Sequence, residues 1–359
     1  MSKKDLQSAN RAKNDEFYTQ LNDIQQELCH YKEHFKGKVV FCNCDDPYES
    51  NFFKYFALNF NSLGLKKLIA TCYDPSPIAG IQLDLFEQLE LKPYQKKAFK
   101  IEIREITDMN GDGSVDLSDV EYLLKNDKNV LSVLEGDGDF RSKECTNLLE
   151  QADIVVTNPP FSLFREYIGQ LVQFNKKFIV MGNTNALTYK EIFKLFQDDK
   201  IRTGNTNFNV GMFFYVPDSY EKFHKMVDGK KMVRVSTSCW YTNLEVKKHN
   251  EELITYRHYN KDEYPKYDNY DAINVNKYTD IPCDYDGIMG VPITFLDKYN
   301  PKQFELIGQM ATTKVDDYNY GYPYVNGEKI YARVLIRRRN QVNENIKIAA
   351  DPNVEYNKN

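Results

Sequence analysis

The chain has 359 residues, 42% hydrophobic and 28% charged, which is apolar material for one large core or two smaller ones and excludes wholesale disorder. A formal charge of −5 at pH 7 argues against a protein that coats nucleic acid indiscriminately, yet leaves room for a local basic face. No run of about 18 apolar residues is present to span a bilayer, and Met1-Ser2-Lys3-Lys4-Asp5 lacks the apolar core of a secretory signal, so a cytoplasmic protein is expected. Seven cysteines is an odd number, and Cys42 and Cys44 lack the two-residue gap of zinc knuckles and redox pairs, so reduced, mostly buried thiols are expected.

In chain order, strand signals fall near 38–43, 67–72, 100–106, 130–134, 153–157 and 177–181. Amphipathic helical stretches alternate with them near 51–62, 84–90, 116–126, 143–151, 162–174 and 188–198. This alternation predicts an α/β fold with a parallel sheet covered on both faces. Beyond about residue 200 the texture becomes rich in Tyr and Asn, with strands expected around Val210-Gly211-Met212-Phe213-Phe214-Tyr215-Val216 and Cys239-Trp240-Tyr241-Thr242-Asn243-Leu244. Residues 255–287 carry many tyrosines without helical period and read as a long loop region, whose rings either stack on bases or anchor the loop to a core. Three basic clusters, Lys230-Lys231-Met232-Val233-Arg234, Lys247-Lys248-His249 and Arg337-Arg338-Arg339, read first as solvated faces and second as phosphate contacts. The expected division is a catalytic region over 1–200 with an insertion at about 107–128, a second region over 201–340, and a tail over 341–359.

Two segments carry candidate chemistry. Asp108-Met109-Asn110-Gly111-Asp112-Gly113-Ser114-Val115-Asp116-Leu117-Ser118-Asp119 fits a twelve-position calcium loop, with Asp108, Asn110, Asp112, Ser114 and Asp119 as candidate ligands. Gly113 takes the sixth position, where the sharp turn needs it. An acidic turn in which Asp116 or Ser118 caps the following helix fits equally well. The other segment is Asn158-Pro159-Pro160-Phe161, which follows the β-branched run Asp153-Ile154-Val155-Val156-Thr157. Prolines cannot continue a strand ladder, so the chain turns there. Ligands of open α/β sheets bind outside the carboxyl ends of strands, where a side-chain carbonyl, a backbone carbonyl and a ring would accommodate a planar amino-bearing ring. The plainer alternative is a proline-rich turn in which Asn158 caps a helix starting near Ser162.

Asn-Pro-Pro-Phe after a hydrophobic strand resembles the catalytic motif of amino-group DNA methyltransferases. Lys13-Asn14-Asp15-Glu16-Phe17-Tyr18-Thr19-Gln20 resembles their N-terminal cofactor motif, with Gln20 where Pro is common. Asp46-Pro47-x-x-Ser50-x-Phe52 follows their cofactor loop with serine in place of glycine, and Asp139-Phe140 resembles the pair that holds the cofactor's adenine. Together with Gly290-Val291-Pro292-Ile293-Thr294-Phe295-Leu296, these stretches are similar to the adenine-specific (N6) methyltransferase family of the EcoRI type along nearly the full length.

The resemblance implies a Rossmann-like sheet with helices on both faces, plus a C-terminal target-recognition region. It implies S-adenosylmethionine as cofactor, held by Phe17, Tyr18, Thr19, Asn43, Asp45, Asp46, Pro47, Ser50, Asp139 and Phe140. It implies catalysis by Asn158, Pro159, Pro160 and Phe161, double-stranded DNA as partner, and a restriction endonuclease as functional counterpart. Rival readings are an RNA or protein-glutamine methyltransferase, and a catalytically idle scaffold that binds nucleic acid. The recognition sequence is not legible.

Overall fold

The computed structural model describes residues 18–44, 50–71, 98–108, 111, 113, 115–126, 130–206, 208, 210–216 and 223–339. Two compact units part between Lys248 and His249. In the first, an eight-stranded sheet is built from β1 (Val39–Cys42), β2 (Lys67–Thr71), β3 (Phe99–Ile103), β4 (Leu131–Val133), β5 (Ile154–Thr157), β6 (Lys177–Asn183), β7 (Arg202–Thr203) and β8 (Ser238–Thr242). Its strand order is β4-β3-β2-β1-β5-β6-β8-β7.

The centre of this sheet is parallel, β1 pairing with β2 and β5, and β5 with β6. These strands are continuous apolar runs, and every residue of β1, β2 and β5 is buried, so both faces are covered. Val40, Cys42, Leu68, Ile154 and Val156 join the core formed with helices Leu21–Leu28 and Asn51–Leu58. The intervening Phe41, Ile69 and Val155 are buried on the opposite face.

The flanks correct the expected all-parallel sheet. β3 runs antiparallel to β2, β4 to β3, and β8 to both β6 and β7. The reason is visible in β3: Phe99, Ile101 and Ile103 are buried while Lys100 and Glu102 are half-buried, the alternation of an antiparallel strand with one wetter face. On that face Glu102 pairs with Lys67 and, at 3.7 Å, with Lys100.

Expected helices appear at Asn51–Leu58, Leu117–Asn126, Lys143–Gln151, Phe164–Gln173 and Lys190–Gln197, whereas the one expected near 84–90 lies outside the described residues. Phe164–Gln173 docks because Gly182 in β6 leaves room for the Phe164 ring, into which a β-carbon at that glycine would collide. No helix among the described residues is long and apolar enough to cross a membrane. The six described cysteines are free thiols.

A second, antiparallel sheet in the same unit joins Tyr18–Thr19, Met212–Tyr215, Lys230–Val235 and Lys225–Val227 in that order. The strand expected around 210–216 therefore belongs to this small sheet, while the one around 239–244 is β8 of the large one.

In the second unit, Ile273–Asn274, Met289–Pro292, Arg333–Arg338 and Phe304–Met310 form a four-stranded sheet over a small core of Tyr267, Ala272, Met310 and Leu335. Residues 255–287 are largely irregular, as expected, and their tyrosines divide between two fates. Tyr264 and Tyr267 are buried anchors, Tyr267 donating to Asn274 and Gly290, whereas Tyr256 is exposed.

Candidate functional site

The central strands fix where a ligand can bind. The chain steps from β1 outward to β2 and later returns to β5 on the other side of β1, so the strand order reverses between β1 and β5. In open α/β sheets the crevice outside the carboxyl ends at such a reversal is the binding place. Asn43 follows β1, and Asn158 follows β5. The β1–β5 register pairs Phe41 with Val155, which brings both strand ends to nearly the same level on adjacent strands, one ladder spacing of about 4.8 Å apart.

Asn158 is buried, 7% exposed, at the end of a strand that is itself fully buried. It does not serve as a helix cap. The short 3-10 turn Phe161–Leu163 starts after Pro160, and helix Phe164–Gln173 after Leu163, neither with a side-chain cap. The carbonyl of Pro160 closes the turn by accepting from the N–H of Leu163 at 2.9 Å. Pro159 is buried, and the half-buried Phe161 packs against the core of the unit, so packing rather than a hydrogen bond sets its ring.

Asn43 is 4% exposed, and its side-chain oxygen accepts from the phenol of Tyr167, a fully buried residue of the helix that follows the Asn-Pro-Pro-Phe turn. Burial pushes that phenol well above its ordinary pKa, so it stays protonated as a donor. The amide nitrogen of Asn43 and the hydroxyl of Thr19 are buried and have no hydrogen-bond partner among the described residues. Buried polar groups are ordinarily satisfied, so these two donors suit a polar ligand at the carboxyl end of β1.

The Asp139-Phe140 pair reaches the same place. The Phe140 ring meets Tyr167 edge-on at 5.1 Å between centroids, and its carbonyl accepts from Gln170 at 3.0 Å. Both carboxylate oxygens of Asp139 face Arg141: Oδ1 accepts from its backbone N–H and Nε at 2.8 Å each, and Oδ2 from Nη2 at 2.5 Å. Partial burial would raise the Asp139 carboxyl, but the Arg141 guanidinium and N–H outweigh it and hold the group below the usual carboxylate range.

Ser50, which stands where the motif has glycine, has φ −64°, so no left-handed conformation is required there. Its hydroxyl caps helix Asn51–Leu58, accepting from Phe52 and Phe53 at 3.2 and 3.3 Å. The neighbouring Asn51 donates to the Thr19 carbonyl at 2.7 Å, which ties the Tyr18-Thr19 motif to the start of this helix. Phe17, Asp45, Asp46 and Pro47 lie outside the described residues.

The described carboxylates of the acidic loop bond to its own backbone. Asp108 accepts from the N–H groups of Gly111 and Gly113 at 2.7 Å, and Asp116 from that of Ser118 at 2.7 Å. Asp119, at the third position of the helix, accepts from the N–H of Asp116 at 2.8 Å, the side-chain-to-N-cap half of a capping box. Asn110, Asp112 and Ser114 lie outside the described residues. Among the described residues, Asp108 and Asp119 do not gather with a third metal-ligating side chain, so calcium finds no support.

Two positions at the site were not singled out from sequence, Tyr167 and Arg141. Tyr167 had a readable signal: Phe164, Tyr167, Ile168 and Leu171 form the buried stripe of their helix, and a phenol on such a stripe needs an acceptor. Arg141 stands two residues beyond Asp139, a spacing too common to mark.

The family model described as adenine-specific methyltransferase EcoRI matches residues 5–339. The type II methyltransferase M.EcoRI of Escherichia coli is 46% identical over 341 residues, covering 93% of this chain and 96% of that protein. The type II methyltransferase M.MpnI of Mycoplasma pneumoniae is 38% identical, covering 93% of this chain and 98% of that protein. The type II methyltransferase M.MgeORF184P of Mycoplasma genitalium is 37% identical, covering 92% and 98%. No solved structure matches.

Proposed function

The chain belongs to the family of adenine-specific methyltransferases of the EcoRI type, and from that premise we propose that its β1–β5 crevice methylates adenine N6 in double-stranded DNA. It is a DNA methyltransferase of the type II restriction-modification class, and a companion restriction endonuclease belongs to this reading. The observation that carries the site assignment is Asn158, buried at the carboxyl end of a central strand beside the strand-order reversal and caps no helix. The parallel centre β2-β1-β5-β6 with the antiparallel β8 beyond it supports a Rossmann-like sheet.

The amino group of adenine is a poor nucleophile because its lone pair delocalises into the ring. The Asn158 side-chain oxygen and the Pro159 carbonyl accept the two amino hydrogens and localise that pair outward, Pro160 fixes the turn, and Phe161 stacks on the base. No strong base is needed, since the proton becomes acidic once the nitrogen carries the new methyl group. S-adenosylmethionine, when bound, supplies a sulfonium methyl as electrophile. Asn43 and Thr19 offer it the two buried donors described above, and Asp139 and Phe140 take its adenine. A base within a duplex cannot reach such a crevice, so the target nucleotide is flipped out, at a cost of a few kcal/mol recovered in stacking and hydrogen bonds. Sequence readout falls to residues beyond 200.

The test is long-read sequencing of DNA incubated with the purified protein and S-adenosylmethionine. N6-methyladenine at one short motif is expected, and unmodified DNA with cofactor binding intact would redirect the assignment to RNA or protein. A second expectation concerns Arg141. Because the Asp139 carboxyl is held low, cofactor binding that depends on its charge persists above that depressed pKa and is lost as pH falls through it. In Arg141→Ala the guanidinium no longer opposes the upward push of burial and only the backbone N–H of residue 141 still lowers the carboxyl, so calorimetric titration of S-adenosylmethionine should show affinity falling at a higher pH than in the parent.

A further inference from the structure

The small sheet of the first unit has two unlike faces. Side chains of directly paired residues lie on one side and alternate along each strand. Met212, Phe214 and Val233 point into the core. On the other side the register assembles Phe213, Tyr215, Lys225, Lys230 and Arg234 around the buried Met232, with Val227 opposite Lys230 and Tyr18 beside Tyr215. Lys225 Nζ sits 4.2 Å from the centroid of Phe213, and Lys230 Nζ 5.9 Å from that of Tyr215. Lys225, Lys230 and Arg234 are exposed, the two rings half-buried. No Asp or Glu occurs in any of the four strands.

The ribbon is also preformed. Asp228 and Gly229, with φ 49° and 76°, make the two-residue turn between the edge strand Lys225–Val227 and its inner neighbour Lys230–Val235, the kind whose twist matches the hairpin it closes. Lysines on an edge strand can simply discourage sheet-to-sheet pairing. That explanation covers Lys225 but not Arg234, which lies on an inner strand of the four, nor the aromatic rings beneath the charges. Cations over aromatic rings fit a polyanion whose backbone carries phosphate and whose exposed bases stack. In a chain of net charge −5, affinity for DNA has to come from such local faces.

We propose that the outer face of this ribbon binds the phosphodiester backbone of the DNA strand bearing the target adenine, through Lys225, Lys230 and Arg234 over Phe213 and Tyr215. The inference rests on the DNA reading above. The ribbon pairs directly with Tyr18–Thr19, the strand of the cofactor motif, so the surface begins beside the proposed cofactor site.

The test uses the full chain with Lys225, Lys230 and Arg234 all changed to Ala, and a second variant, Lys225→Glu, confined to the exposed edge. Duplex binding is followed by fluorescence anisotropy over a salt series, and S-adenosylmethionine binding by calorimetry without DNA. Each lost phosphate contact lowers the slope of log affinity against log salt by about 0.9, so the triple variant should lose about 2–3 from the slope and at least about tenfold in affinity near 0.1 M salt. Lys225→Glu should lose part of this, and cofactor binding should match the parent in both. Parental DNA affinity and slope in the triple variant would overturn the proposal, as would equal loss of cofactor binding, which would make the ribbon a support for the cofactor site. A parent protein that methylates no DNA would instead defeat the DNA reading itself, so the two failures are distinct.

Discussion

Replacing Asn158 with Ala should abolish methyl transfer, with kcat falling by about 10²–10³-fold or more, while duplex affinity and thermal stability stay near those of the parent. Asn158 follows a strand buried along its whole length and precedes two prolines, so its backbone is held on both sides by elements that do not depend on its side chain. No helix loses a cap when the amide goes. What disappears is an acceptor that acts on the amino group as charge develops there, which affects the rate far more than ground-state binding. Asn158→Asp keeps an oxygen acceptor in place and should retain part of the rate, whereas the isosteric apolar Asn158→Leu should not. Single-turnover kinetics with melting curves checks this. Parental turnover in Asn158→Ala would remove the residue from the chemistry.

The parallel centre was legible because its strands are continuous β-branched runs separated by helical spacing, and the Asn-Pro-Pro-Phe turn was legible because prolines must end such a run. The antiparallel flanks were missed although Phe99-Lys100-Ile101-Glu102-Ile103 announces them, since an alternating strand between parallel neighbours was read by its position rather than its pattern. Tyr18-Thr19 and Asp139-Phe140 were found by motif alone. What draws Asp139-Phe140 to Asn43 is Tyr167, and that contact joins residues 124 positions apart, which no local pattern encodes. The basic clusters show the same limit: register and packing, not composition, decide whether a run of Lys and Arg lies along a strand, as at Lys230–Val235, or in a short helical turn, as at Lys247–Asn250.

A larger effect on stability than on chemistry is expected at Glu27, a fully buried carboxylate far in sequence from its partners Asn205 and Thr206 and one helical turn from Tyr31. One oxygen accepts from the Tyr31 phenol at 2.7 Å and the Asn205 N–H at 2.6 Å, the other from the N–H and hydroxyl of Thr206 at 2.6 Å each. Burial first, and the Glu27 carboxylate second, raise the Tyr31 phenol above its ordinary pKa, so that donor persists at alkaline pH. Gly204 admits the carboxylate, since a β-carbon there would collide with both Glu27 and Trp240. In Glu27→Ala four donors lose their acceptor inside the core, at roughly 3–5 kcal/mol by the scale of broken buried networks. Glu27→Gln keeps the volume but turns an NH2 toward donors, so it should fall between Ala and the parent. Urea titration with unchanged slope and a lowered midpoint would show this. The same bonds link helix Leu21–Leu28, just after the Tyr18-Thr19 motif, to the loop beyond β7 from which the basic ribbon departs. Loss of stability in Glu27→Gln should therefore be accompanied by weaker S-adenosylmethionine binding at temperatures where the variant is still folded, and cofactor affinity equal to the parent's would confine Glu27 to the fold.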